Sequence, residues 1–181
     1  MIEVICGCMF AGKTTALIAR LEAARADGRR VIAFRHAGDD RYDAVAISTH
    51  DGRRFPSTPA RDANELESLS DGFDVLGVDE AHFFGPELAE VAERLSRRGR
   101  RVIAVGLDYN AWGGAFEPFP ALKRMADRVD ALTAPCVDCG APARYSQRVT
   151  PVLSPLMVGG VGDYLPKCLA CFESLPGEPA C

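Results

Sequence analysis

Residues Gly7-Cys8-Met9-Phe10-Ala11-Gly12-Lys13-Thr14 satisfy the pattern G-x-x-x-x-G-K-[ST], and their flanks leave the pattern little choice of fold. Ile2-Glu3-Val4-Ile5-Cys6 reads as a buried strand, and Thr14 to Ala26 reads as a helix with Leu17, Ile18 and Leu21 on one face. A strand, a glycine-rich turn and a helix N-terminus, in that order, aim successive backbone N–H groups and the positive end of the helix dipole at one point. That point is a phosphate site. Lys13 then reaches toward the β- and γ-phosphates, and the Thr14 hydroxyl can join the shell of a Mg²⁺ ion. Residues Gly7 to Thr14 are therefore expected to bind the phosphates of a nucleotide.

The rest of the first 134 residues continues the same rhythm. Val31-Ile32-Ala33-Phe34, Phe73 to Asp79, Arg101 to Asp108 and Ala131-Leu132-Thr133 read as strands, with a weaker one over 44–49. Asp62 to Leu69 suggests a short helix capped by Asp62, with Glu65 three residues on. Pro86 to Arg98 is a helix with Leu88, Val91, Ala92 and Leu95 at helical spacing, stopped by Gly99, and a short helix ends near Arg128. Continuous apolar strands alternating with helices predict an α/β fold: a parallel sheet covered by helices on both faces. At Pro135 the texture changes to cysteine pairs, Gly, Pro and short polar segments. The expected division is 1–134 as an α/β nucleotide-binding domain, 135–173 as a small metal-binding domain and 174–181 as a tail.

Two further groups carry chemistry. The strand from Phe73 ends in Asp79-Glu80-Ala81-His82. An acid at the carboxyl end of a buried strand beside a phosphate loop holds Mg²⁺, so Asp79 joins Thr14 as an expected magnesium ligand. Glu80 can accept a proton from an incoming hydroxyl or water. The same four residues spell the D-E-A-H box of a helicase class, but such a motor needs two α/β lobes, and 181 residues leave no length for a second. Cys136-Val137-Asp138-Cys139 and Cys168-Leu169-Ala170-Cys171 are two C-x-x-C pairs separated by 28 residues. Two such knuckles complete a closed tetrahedral S₄ site, which suits structural Zn²⁺. The site would pin the base of the intervening loop, where Val158-Gly159-Gly160-Val161-Gly162-Asp163-Tyr164 reads equally as a mobile connection or as a cover over a small planar ligand. Cys6 reads as core, Cys8 as filler in the phosphate loop and Cys181 as tail.

A net charge of −4 argues against nonspecific nucleic-acid binding, which needs a basic face. Arg97-Arg98-Gly99-Arg100-Arg101 reads as a solvated turn between helix and strand. No apolar run approaches a membrane span, and the first strand enters the phosphate loop with no leader-like segment ahead of it. Seven cysteines in that setting point to a reducing cytoplasm, with metal or free thiols.

Together these residues resemble the type II thymidine kinases, a cytosolic family that pairs a P-loop α/β domain with a zinc-bearing lasso domain. The resemblance runs nearly end to end. The phosphate loop with Met9-Phe10 is similar to G-P-M-F-S-G-K-[ST], and Asp39-Asp40-Arg41-Tyr42 with Ser48-Thr49-His50-Asp51 to the loop that follows it. Asp79-Glu80 with Phe83-Phe84 resembles D-E-x-Q-F-F, Gly106-Leu107-Asp108 resembles G-L-D, and Val158-Gly159-Gly160 through Tyr164 resembles V-I-G-G-x-x-x-Y. Cys8 stands where the family has proline, His82 where it has glutamine, and Ala111-Trp112 where it has an aromatic and a basic or polar residue.

The resemblance implies a RecA-like P-loop sheet and transfer of the ATP γ-phosphoryl group to the 5′-hydroxyl of thymidine or deoxyuridine in nucleotide salvage. It implies Glu80 as general base, a role worth about 10²–10⁴-fold in rate. Asp79, Glu80, Ala81 and His82 would join the phosphate loop on the ATP side. Met9, Arg41, Phe83, Leu107, Phe116, Met157, Val158, Gly159 and Tyr164 would bind the nucleoside, with lasso backbone hydrogen-bonding the base. A homotetramer is the family's habit. A different class stays open: an ATP-binding module whose zinc ribbon contacts protein or nucleic acid, without nucleoside chemistry.

Overall fold

The computed structural model describes residues 1–38, 46–49, 52–150 and 162–175. In chain order, β1 (Ile2–Gly7) leads into α1 (Lys13–Ala26), β2 (Val31–His36), and a hairpin of β3 (Ala46–Ser48) and β4 (Arg54–Pro56). Next come β5 (Thr58–Ala60), α2 (Ala63–Leu69), β6 (Val75–Val78), a 3₁₀ turn over Ala81–Phe84, and α3 (Glu87–Arg97). They are followed by β7 (Arg101–Gly106), α4 (Phe119–Met125) and β8 (Arg128–Leu132). Six strands form one sheet in the order β5-β2-β6-β7-β1-β8, and every pairing in it is parallel. Parallel neighbours require crossovers, which the helices supply.

Strand residues alternate between two apolar layers, as the pleat demands. On one face Leu17, Ile18 and Leu21 of α1 pack with Ile5, Ala33, Ile103 and Val105, and Ile47 and Phe55 of the β3–β4 hairpin extend that cover. On the other, Leu66, Leu88, Val91, Leu95 and Leu122 from α2, α3 and α4 pack on Val4, Phe34, Leu76 and Val102. Helix α1 sits close because Gly77 has no side chain: a Cβ there would lie 2.9 Å from Leu17 and Leu21 methyl carbons.

Local chemistry sets the helix ends. Asp62 accepts a hydrogen bond from the Glu65 N–H at 2.8 Å, which satisfies one free donor of the first turn. The Glu65 carboxylate returns to the Arg61 N–H at 2.6 Å, one residue before the cap. Helix α3 gives way at Gly99, whose φ of +79° is the left-handed exit that glycine takes without strain.

The strands are shorter than their apolar runs. Phe73, Asp74, Leu107 and Asp108 lie outside β6 and β7. Arg128 begins β8 instead of ending a helix. Edge strand β5, Thr58-Pro59-Ala60, was hidden by its proline, which an edge tolerates because its N–H side need not pair.

After β8 the pairing changes character. Strands β9 (Ala134–Pro135) and β10 (Pro142–Ala143) form one antiparallel pair, and β11 (Tyr145–Arg148) and β12 (Tyr164–Lys167) form another. The two arms of the junction are bound by charge. Buried Asp108 accepts from Lys123 of α4 at 2.6 Å and from Arg144, between β10 and β11, at 2.7 Å. A carboxylate withdrawn from water needs such partners.

Candidate active site and metal centre

The phosphate loop runs from the end of β1 to the start of α1. Gly7 has φ +147°, and a Cβ on it would lie 2.2 Å from the Leu132 carbonyl oxygen, so no larger residue fits between β1 and β8. Gly12, at φ +79°, caps α1 without any side chain, which leaves the first-turn N–H groups facing outward. Lys13 donates from Nζ to the Cys8 carbonyl at 2.8 Å, folding its ammonium back over the loop.

Asp79 and Glu80 stand opposite, just past the carboxyl end of β6 and beside β1's neighbour β7. The Thr14 hydroxyl lies 3.4 and 3.5 Å from the two Asp79 carboxylate oxygens. Adjacent ligands of an octahedral Mg²⁺ are separated by about 3 Å, so this pair of oxygen donors suits that ion. Glu80 occupies the left-handed region, φ 48° and ψ 46°, which a residue with a side chain adopts only when its surroundings impose it. The 3₁₀ turn that follows buries Ala81 and His82 and brings the His82 Nδ1 within 3.6 Å of Glu80 Oε2.

Around His82 the structure gathers three residues expected on the nucleoside side. Phe83 and Phe116 rings lie 4.3 and 4.8 Å from the imidazole, and the Leu107 N–H donates to Nδ1 at 3.4 Å. Two others hang on the β11–β12 hairpin. The Met9 N–H donates to Ser146 Oγ at 2.9 Å. Tyr164 pairs with Arg148 across the hairpin and accepts from its guanidinium at 2.7 Å. Ser146 and Arg148 are two apart on one strand and therefore share a face. Arg41, Met157, Val158 and Gly159 lie outside the described residues, as do Asp39, Asp40, Tyr42, His50, Asp51, Gly160, Val161 and Cys181.

Ala111 and Trp112 belong to a loop shaped by Asn110, whose Oδ1 accepts from the Trp112 and Gly114 N–H groups at 3.0 and 2.9 Å. Its tip leans on the chain leaving the second cysteine pair: a Cβ on Gly113 would lie 2.8 Å from Phe172, and Ser174 Oγ donates to the Trp112 carbonyl at 2.8 Å.

The sulfurs of Cys136, Cys139, Cys168 and Cys171 lie within 4.8 Å of one another, with Cys139 3.6 Å from Cys168 and 3.7 Å from Cys171. Four thiolates about 2.3 Å from a tetrahedral Zn²⁺ sit about 3.8 Å apart, so the donor set and its spacing fit that ion. Without a cation the thiols resist ionising together. The Cys168 main chain holds Cys136 down to about 6, while its thiol neighbours, Cys139 first, push Cys171 up to about 12. A bound divalent cation removes that conflict. Cys6 differs in kind: burial first, and Asp108 next, raise it to about 11, as befits a core thiol.

This centre also supports the phosphate loop. Cys8 and Ala11 pack in one cluster with Ala134, Ala143, Cys136 and Cys168, and the Cys8 thiol donates to the Ala143 carbonyl at 3.2 Å. Sequence reasoning did not reach Ser146, Arg148, Lys123 or Arg144. Each acts through a partner distant in the chain, and no local period marks such a pairing.

Comparison with known proteins agrees along nearly the whole chain. Residues 1–172 match the family model described as thymidine kinase. The thymidine kinase of Rhodothermus sp. (strain ITI 518) is 42% identical over 172 residues, covering 95% of this chain and 81% of that protein. That of Porphyromonas gingivalis (strain ATCC BAA-308 / W83) is 39% identical over 178 residues, covering 98% and 87%. A third, from Halobacterium salinarum (strain ATCC 29341 / DSM 671 / R1), is 37% identical over 180 residues, covering 94% and 92%.

Proposed function

The chain belongs to the thymidine kinase family, and we infer from that membership and from the site that it is an ATP-dependent kinase of thymidine. The observation that carries the catalytic part is the opposition of Thr14 to Asp79 at 3.4 Å, with Glu80 next in sequence and held in a left-handed conformation.

In the reaction proposed, Gly7, Cys8, Met9, Phe10, Ala11, Gly12, Lys13 and Thr14 cradle the ATP phosphates through backbone N–H groups and the Lys13 ammonium. Thr14 and Asp79 would hold Mg²⁺, which when bound neutralises charge on the β- and γ-phosphates. Glu80 takes the proton from the nucleoside 5′-hydroxyl as that oxygen bonds to the γ-phosphorus. The bond from γ-phosphorus to the β–γ bridging oxygen breaks, and ADP leaves with its electron pair. Phe83, Leu107 and Phe116, with Met9 and Tyr164 from the hairpin side, would wall the thymine. Arg41 and the main chain of Met157, Val158 and Gly159 would complete the nucleoside contacts.

The structural Zn²⁺ would be held by Cys136, Cys139, Cys168 and Cys171, whose sulfur spacing supports it. The proposed division is 1–134 for the α/β domain, 135–173 for the lasso and 174–181 for the tail. It is supported by β8 being the last strand in chain order to join the six-stranded parallel sheet, while among the described residues β9 to β12 pair only among themselves. Family habit supports a homotetramer, which light scattering on the purified protein would test; a monomeric mass would reject it. Among the described residues no helix is long and apolar enough to cross a membrane; the seven cysteines support a cytoplasmic location, and a net charge of −4 supports the absence of nucleic-acid partners.

The test is ADP release measured across a panel of nucleosides. Turnover dependent on thymidine or deoxyuridine is expected. Hydrolysis of ATP that ignores nucleosides but rises with single-stranded nucleic acid would reject the kinase reading.

A further inference from the structure

We propose that His82 is a positioning residue for the nucleoside side of the site, locking Leu107 and Phe116 to the turn that carries Glu80. The inference rests on the roles given above to Glu80, Leu107 and Phe116, and it moves His82 from the ATP side, where the resemblance set it, to the nucleoside side, where its ring meets Phe83, Leu107 and Phe116. His82 follows Glu80 by two residues, and its side chain is 3% exposed. Its Nδ1 accepts from the Leu107 N–H at 3.4 Å, and its ring packs against Phe83 and Phe116. One imidazole thus touches Phe83 in the turn after Glu80, Leu107 just past the end of β7, and Phe116 in the loop that follows.

Gly106 is part of the same fit. A Cβ at that position would lie 2.8 Å from His82 Nδ1 and 3.0 Å from the Phe119 ring, so glycine there makes the space that the imidazole fills. The hydrogen bond also fixes the tautomer. A backbone N–H can only donate, so Nδ1 presents its lone pair and the neutral ring carries its proton on Nε2. The same Nδ1 stands 3.6 Å from Glu80 Oε2, and in this tautomer it offers the carboxylate no proton. A glutamine, the residue found here in the family pattern, carries an acceptor oxygen that can serve the Leu107 N–H equally. A leucine fills the space but serves nothing.

Two measurements on the intact protein test this. In steady-state assays, His82→Leu should raise KM for thymidine by about tenfold while KM for ATP moves by less than about twofold, the pattern of a lost contact on one substrate only. His82→Gln should recover KM for thymidine to within about threefold of wild type. An unchanged KM for thymidine in His82→Leu, an equal rise for both substrates, or no recovery in His82→Gln would overturn the proposal. Nitrogen-15 spectra of the wild-type protein, in which His82 is one of three histidines and is assigned by its loss in His82→Gln, give a readout that does not depend on whether His82→Leu folds. They should show an unprotonated Nδ1 at neutral pH, and a proton on Nδ1 would overturn it. A wild-type protein without thymidine turnover would remove the underlying reading and the proposal together. Normal wild-type turnover with an unmoved His82→Leu would remove the proposal alone.

Discussion

The Met9 N–H donates to Ser146 Oγ at 2.9 Å across 137 residues of chain, so the phosphate loop hangs from the cysteine-bearing lobe. Ser146 is 3% exposed, so the bond is largely shielded from bulk solvent. Together with the Cys8 thiol on the Ala143 carbonyl, it makes the lobe a support for the ATP side as well as the base of a lasso.

Ser146→Ala leaves the Met9 N–H without its partner. A net hydrogen bond of this kind contributes about 0.5–1.5 kcal/mol, so ATP should bind roughly two- to thirteenfold more weakly. Titration calorimetry with a non-hydrolysable ATP analogue measures it. Unchanged affinity would mean that the loop holds its shape without the lobe.

Elemental analysis should find about one zinc per chain, one ion being what four thiolates in a closed tetrahedral site hold. Removing the ion with a chelator leaves four crowded thiols beneath Cys8 and Ala11. We expect a lower thermal midpoint and weaker ATP binding in the same sample. Full occupancy by iron, or none with fold and ATP binding intact, would reject the account of the centre.

Acid stability should carry the signature of Asp74. The Arg30 side chain donates to both of its carboxylate oxygens, and the Arg30 N–H adds a third bond. The side-chain bonds first, and the main-chain bond next, lower Asp74 to about 2 from an ordinary 3.8. A carboxylate depressed by folding contributes stability that is present above its unfolded value and is lost as pH falls through the folded one. Asp74→Asn should therefore flatten the loss of stability between about pH 4 and pH 2. Urea unfolding at stepped pH measures it, and the effect should shrink in high salt because the pair is near the surface. An unaltered slope in the variant would show that the pair adds nothing.

Much of this was readable in one dimension. A glycine loop between an apolar strand and a helix has few ways to fold, and Asp62, Gly99 and Pro86 mark helix ends through chemistry confined to a few residues. The paired cysteines announce their partners because thiolates about a metal tolerate little else. What stayed hidden depends on topology. Glu3 looks like an interruption in a buried strand, yet it is 2% exposed and satisfied by Arg20 at 2.8 Å and Arg101 at 2.6 Å. Nothing near Glu3 in sequence foretells Arg101, which arrives only because β7 lies beside β1. Arg148 and Ser146 were equally unmarked. Tyr-Ser-Gln-Arg carries no local mark of the role that Ser146 and Arg148 take once Met9 and Tyr164 come to meet them.

The central claim is that Glu80 takes the nucleoside proton during phosphoryl transfer. Glu80→Gln keeps the size of the side chain and removes its basicity. Single-turnover transfer from ATP to thymidine should fall by about 10²–10⁴-fold in that variant, with ATP affinity changed by less than about threefold, because that part of the binding comes from the phosphate loop. Transfer at the wild-type rate in Glu80→Gln, with the protein folded and ATP bound, would contradict the account.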